Sequence, residues 1–192
     1  MEEYIIEIDF DNSDYVYNLN ELSFYSDHRY AKKRQFANIF LNRNSNIEVK
    51  LLDLRDPNVQ SEVLILYDVW SGNKNGNGEN SYFHKEHHAI HRLMSYELDN
   101  LLCVGVFVNM QLIGYSIFRK LPDHYAICYF SKININYQGL NEFLMKMSAS
   151  KLILENCEWL NYEEDMGLPG LRFSKNSFRP SHFLRKYTIK KH

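Results

Sequence analysis

The sequence has no apolar run approaching the ~18 residues that cross a bilayer as a helix, and its acidic opening, MEEYIIEIDF, does not have the form of a signal peptide. A cytoplasmic protein without a transmembrane segment is therefore expected. It also lacks an excess of positive charge: 22 Lys and Arg against 24 Asp and Glu give a formal net charge of −2. That balance excludes a protein that binds nucleic acid over its whole surface, though not one with a local basic face. Cysteine is sparse as well. Cys103, Cys128 and Cys157 are odd in number, widely spaced and set in apolar surroundings, so they are expected as reduced core residues rather than disulfides, metal ligands or a nucleophile. What the chain does have is 192 residues with 45% apolar content, enough for one ordinary core and one domain spanning 1–192.

Periodicity and punctuation set out the elements. Tyr4 to Phe10 reads as a strand, and Asn18 caps a short helix running to Tyr25. From Asp27 to Phe40 an amphipathic helix has Tyr30, Phe36, Ile39 and Phe40 on one face and Arg29, Lys32 and Lys33 on the other. Such a basic side suits either solvent or a phosphate-rich ligand. Ile47 to Leu52 reads as a strand and Asn58 to Trp70 as a helix. A variable loop at 71–81, opening SGNKNGNGEN, follows. Tyr82 to Leu98 is helical and carries His84, His87, His88 and His91. The spacing invites a metal, but only Glu86 is a local partner, so an exposed histidine-rich face is expected and no metal is assigned. Leu101 to Val108 and Gln111 to Phe118 form a hairpin through Asn109-Met110. Tyr125 to Ile133 is a further strand, and a turn with one glycine, Gly139, opens a helix from Leu140 to Leu152. A helix N-terminus after a strand is one way to hold a pyrophosphate.

The segment 159–187, WLNYEEDMGLPGLRFSKNSFRPSHFLRKY, separates its charges. A short apolar strand, Trp159 to Tyr162, leads into Glu163, Glu164 and Asp165, as acids at a strand end do in many α/β sites. Gly167, Pro169 and Gly170 break the backbone. Leu171 to Lys175 then reads as a brief helical turn with Arg172 and Lys175 on one face. Two cations so placed suit a phosphate or carboxylate; a mutually neutralising surface loop accounts for the same charges.

Here the sequence resembles the C-terminal domain family of phosphatidylglycerol lysyltransferases. The matching positions are Asn161, Glu163, Glu164, Asp165, Gly167, Gly170, Leu171, Arg172, Lys175, Pro180, Lys186 and Tyr187, with Tyr30, Lys33, Arg34, Phe36, Glu86 and Lys132 extending the match upstream. Gln35 and Ser131 depart from it. The resemblance covers roughly residues 15–189, the second of two such domains in these relatives. It implies an α/β (α+β) fold of the GCN5-related N-acetyltransferase (GNAT) type, with a mixed, mostly antiparallel central sheet flanked by helices. The coenzyme A loop usual in that fold would fall at 134–141, where Gln138-Gly139-Leu140 offers one glycine. This departure points away from acetyl-CoA and toward relatives that take an aminoacyl group from tRNA.

The resemblance also implies a transferase. An acyl or aminoacyl group would pass from a carrier (aminoacyl-tRNA, acyl-CoA or acyl carrier protein), as co-substrate and with no tightly bound cofactor, to an amine of a peptide, small molecule or lipid headgroup. Charge and resemblance together assign Asp165, Glu164 or Glu86 to binding and deprotonating the amine. Backbone N–H groups near Lys132 are assigned to the oxyanion. Arg172, Lys175 and the turn at Tyr137 and Gly139 are assigned to the donor. The alternative is a catalytically inactive domain of the same fold that binds a peptide or protein.

Overall fold

The computed structural model describes residues 4–74, 80–96 and 100–191. The chain runs through β1 (Tyr4–Asn18), α1 (Leu19–Phe24), a 3-10 turn (His28–Tyr30), α2 (Ala31–Arg43), β2 (Ile47–Leu52), α3 (Pro57–Lys74), α4 (Asn80–Ser95), β3 (Leu101–Val108) and β4 (Gln111–Lys120). It continues through β5 (Tyr125–Ile133), α5 (Leu140–Leu154), β6 (Trp159–Asn161), α6 (Pro169–Ser177) and β7 (His182–Lys191). The strands form one seven-stranded sheet in the order β2-β3-β4-β5-β6-β1-β7. Every neighbouring pair is antiparallel except β5 and β6, which run parallel from Tyr125↔Trp159 to Ile127↔Asn161.

Helices cover the sheet on both faces, so β3 is buried on both sides. Its alternation sends Val104, Val106 and Val108 into a core with α1, α2 and α5, and Cys103 and Phe107 into a second core with α3 and α4. All three cysteines are buried and unlinked. Asn18 caps α1, its side-chain oxygen accepting from the N–H groups of Asn20 and Glu21 at 3.0 and 3.3 Å. Asn109 and Met110 both have positive φ (49° and 66°), the twist that a two-residue hairpin needs.

Several boundaries move. Helix α3 runs to Lys74 and α4 begins at Asn80, so both enter the expected loop 71–81; residues 75–79 of that loop, and the expected helical end at 97–98, lie outside the described residues. Strand β1 continues past Phe10 to Asn18, with a register shift between Asp9 and Asp14. The polar run Asp11 to Asp14 hides this continuation, because it has no apolar alternation. Lys33, expected on an exposed basic face, lies instead on the side of α2 turned toward α5, 3.1 Å from Glu142 and 3.7 Å above the Phe178 ring.

The parallel pair positions the site. β6 ends at Asn161 while β5 runs on to Ile133, so the sheet opens between them. The turn before α5 lies elsewhere. Tyr137 packs on Phe40 of α2, and Gly139, at φ +83°, is so close to α2 that an added Cβ would sit 2.0 Å from the Phe36 carbonyl oxygen. This turn was expected to cradle a donor phosphate; α2 packs on it, and its glycine serves that contact. Gly139→Ala should therefore lower stability by about 2 kcal/mol or more in urea unfolding, since both the left-handed backbone and the clash oppose a side chain.

Candidate functional site

The site is built on the five residues that follow β6. Asn161 is buried; its amide donates to Asp14 at 3.0 Å and accepts the Glu163 N–H at 2.7 Å. The Glu163 carbonyl accepts from the Tyr15 N–H at 3.1 Å. These bonds hold Glu163 at φ 58°, in the left-handed region that a non-glycine residue seldom occupies. From α6, the buried Lys175 ammonium donates to the Glu164 carbonyl at 2.8 Å and to the Tyr162 carbonyl, with the Tyr162 ring 5.0 Å away. Burial draws the Lys175 pKa down. Lys175 thus ties α6 to the strand end and its charge is spent on carbonyl oxygens.

Asp165 is equally committed. It is 1% exposed and accepts two bonds from Arg172, each 2.8 Å, one from the Tyr15 hydroxyl at 2.5 Å and one from the Gly167 N–H at 2.9 Å. The Arg172 guanidinium, with help from Tyr15 and Gly167, holds its carboxyl well below the usual carboxylate range. Arg172 also reaches Asp11 at 2.5 Å. Asp165 was expected as a base and Arg172 as a donor ligand. Instead they form a bidentate pair pinning the loop to β1, because four donors converge on one buried carboxylate. Glu164 was likewise expected near the amine, but its carboxylate pairs with Lys186 at 3.1 Å.

Between α4, β5 and this loop lies a cleft of about 760 Å³. Glu86, Glu163, Glu164 and Lys175 line it, with Tyr129 and Phe130 from β5 and Lys85 and Arg92 from α4. Glu86 accepts from the buried Lys132 at 2.8 Å and from the Tyr67 hydroxyl at 3.1 Å, and the Lys132 ammonium lies 3.6 Å from the Trp70 ring centre. The structure therefore joins Glu86, Glu164 and Lys175 at one cleft, with Lys132 behind Glu86. Asp165 and Arg172 line a separate pocket of about 370 Å³ beside Tyr15, Phe10 and Phe183. Tyr137 and Gly139 line neither.

Three residues at the cleft were not singled out for roles from sequence. The Glu163 carboxyl makes no hydrogen bond or ion pair among the described residues, and burial, then the neighbouring Glu164 charge, pushes its pKa up to about 7. Lys85 and Arg92 are exposed and have no ion-pair partner among the described residues. Glu163 stood in the matched acid run, but no local signal separates it from its neighbours. The left-handed turn makes that separation. No group of three or more His, Cys, Asp or Glu that could hold a metal occurs among the described residues, and His87 packs on the Tyr67 ring.

The model of the phosphatidylglycerol lysyltransferase C-terminal family matches residues 1–190. The chain belongs to that family. Among solved structures it is similar to a conserved protein of unknown function from Bacteroides thetaiotaomicron (TM-score 0.85, 23% identity, covering 98% of this chain and 62% of that one). It is similar also to the C-terminal domain of a putative lysylphosphatidylglycerol synthetase from Agrobacterium fabrum (0.67, 12%, 97% and 61%) and to L-PGS from Bacillus licheniformis (0.66, 12%, 97% and 61%). The chain thus spans about three-fifths of the length of these structures. A ribosomal-protein-alanine N-acetyltransferase from Brucella melitensis matches at TM-score 0.50 and 15% identity over 71% of this chain and 93% of that one. The fold is that of the GNAT acyltransferases. No curated protein matches the chain. Among the described residues no helix is long and apolar enough to cross a membrane.

The raised Glu163 pKa has a thermodynamic signature. The folded chain holds this proton to higher pH than the unfolded chain, so stability falls as pH rises from about 4.5 to about 7 and levels off above. The loss is at most on the order of 3 kcal/mol. Glu163→Gln should flatten this part of the profile when denaturant unfolding is measured between pH 4.5 and 8, with the largest gain over the parent above pH 7.

Proposed function

We propose that the chain is an acyltransferase that passes an acyl or aminoacyl group from a carrier to an amine, with Glu163 as proton acceptor. The observation that carries this reading is the half-buried Glu163 carboxyl in the cleft wall, which has no hydrogen-bond or ion-pair partner among the described residues, with its pKa near 7. That value suits a general base working near neutrality. The amine nitrogen attacks the carrier's carbonyl carbon, forming the new C–N bond. As the tetrahedral intermediate collapses, the C–O bond of an ester carrier or the C–S bond of a thioester carrier breaks. Glu163 takes the proton from nitrogen and returns it to the leaving oxygen or sulfur.

Lys85 and Arg92 at the rim take the place first given to Arg172 and Lys175, meeting the phosphates of aminoacyl-tRNA, acyl-CoA or acyl carrier protein. Glu86, oriented by Lys132 and Tyr67, binds the amine as an ammonium, which loses one proton to solvent before its nitrogen attacks. Acceptors of this chemistry include a peptide, a small amine or a lipid headgroup, and donors of these classes place the reaction in the cytoplasm. A second reading, an inactive domain that binds a peptide or protein, is favoured by one observation: Asp165, Arg172, Lys175 and Glu164 are all consumed by internal bonds.

The test is incubation of the full chain with labelled aminoacyl-tRNA, acyl-CoA or acyl carrier protein and a panel of amines. Transfer from one donor is expected, and Glu163→Gln should lower kcat by about 100-fold or more with a much smaller change in KM. Asp165→Asn should instead lower the unfolding midpoint. Absence of transfer from every donor by the folded chain would leave the binding domain.

A further inference from the structure

Strands β1 and β7 continue beyond the rest of the sheet as a two-stranded ribbon. From Tyr4↔Lys191 to Asp9↔Lys186 they pair only with each other. Residues opposite one another in an antiparallel pair share a face, so the register sorts this ribbon into two surfaces. One is largely polar: Glu7 pairs with Lys190 at 2.7 Å, and the Thr188 hydroxyl donates to Asp9. The other brings Ile6 opposite Ile189, Ile8 opposite Tyr187 and, at the open end of the ribbon, Tyr4 opposite Lys191. Its five apolar residues, Ile6, Ile189, Ile8, Tyr187 and Tyr4, are 64%, 65%, 37%, 54% and 56% exposed, respectively. An isolated two-stranded ribbon is marginal in water, and an amphipathic one needs something against its apolar side.

We propose that this face packs against the same face of a second copy of the chain, making a twofold dimer of ribbons. Taking ~200 Å² for a large side chain in the open, the five leave on the order of 500 Å² exposed per copy. That is at the upper end of the largest apolar patch of a monomer. Two copies face to face bury on the order of 1,000 Å² together, the size at which a specific interface begins. A twofold axis sets this apolar face against its own copy, an isologous contact, with Lys191 at the open end of each ribbon. The chains meet by faces and not by strand edges, because the outer strand β7 carries Arg185, Lys186, Lys190 and Lys191. Pairing its edge with a second β7 would set these like charges against each other.

The ribbon also leads to the site. Asp11, in the β1 bulge at its base, accepts from Arg172, the residue that pins Asp165. The dimer contact therefore lies at the far end of the strand that braces the loop. This inference is independent of the transferase reading.

Sedimentation equilibrium of the full chain at micromolar to 100 µM concentrations tests it. The parent is expected at twice the 22.9 kDa chain mass, and the double substitution Ile6→Glu, Ile189→Lys at the chain mass, with an unchanged circular-dichroism spectrum. Leu154→Glu, at an exposed position outside the ribbon, should leave the dimer intact. A parent monomeric at 100 µM, or a dimer untouched by the double substitution, would overturn the proposal. A monomer that co-sediments with anionic vesicles through Ile6 and Ile189 would overturn it too and give the face to a bilayer.

Discussion

A single buried ammonium holds the candidate site in shape. Taking a lysine out of water costs several kcal/mol unless every donor finds an acceptor. Lys175 offsets much of that cost by donating two of its three N–H groups to the carbonyls of Tyr162 and Glu164, with the Tyr162 ring 5.0 Å away. Those carbonyls flank Glu163. By fixing the peptide units before Glu163 and after Glu164, while the Tyr15 N–H holds the Glu163 carbonyl between them, Lys175 helps keep the left-handed turn that sets Glu163 in the cleft wall.

The three consecutive acids illustrate how surroundings divide labour among like groups. Asp165 has four donors and stays ionised as an anchor. Glu164 faces Lys186. Glu163 has burial and a like charge for neighbours and no donor among the described residues, and its pKa is pushed up toward neutrality. Across the cleft, Glu86 is held by Lys132 and Tyr67. The cleft wall thus sets an acid held by partners, Glu86, beside one whose pKa is raised by burial, Glu163.

Much of this architecture was legible in the sequence because local signals determine it. The Asn18 cap, the Asn109-Met110 hairpin, the strand at Tyr125 to Ile133 and the acids at the end of β6 all follow from spacing and turn chemistry. The order of elements and the fixed spacings of the last segment carried the family and the fold. What could not be read depends on tertiary packing. Whether Lys175 meets a phosphate or a carbonyl is decided by how α6 lies on the strand end, and whether Gly139 opens a cradle or admits α2 is decided by a neighbour a hundred residues earlier. Lys85 and Arg92 reach the cleft only because α4 packs beside β5, and the extension of β1 past Phe10 is visible only through its pairing with β6 and β7.

The central claim is that Glu163 carries an exchangeable proton near neutral pH, and carboxyl NMR of the chain labelled at its glutamates tests it directly, with Glu163→Gln identifying the resonance. The account expects that resonance to titrate with a midpoint near 7. A midpoint at the ordinary glutamate value, near 4.5, would show the carboxyl to be solvated or paired and would contradict its assignment as the proton acceptor.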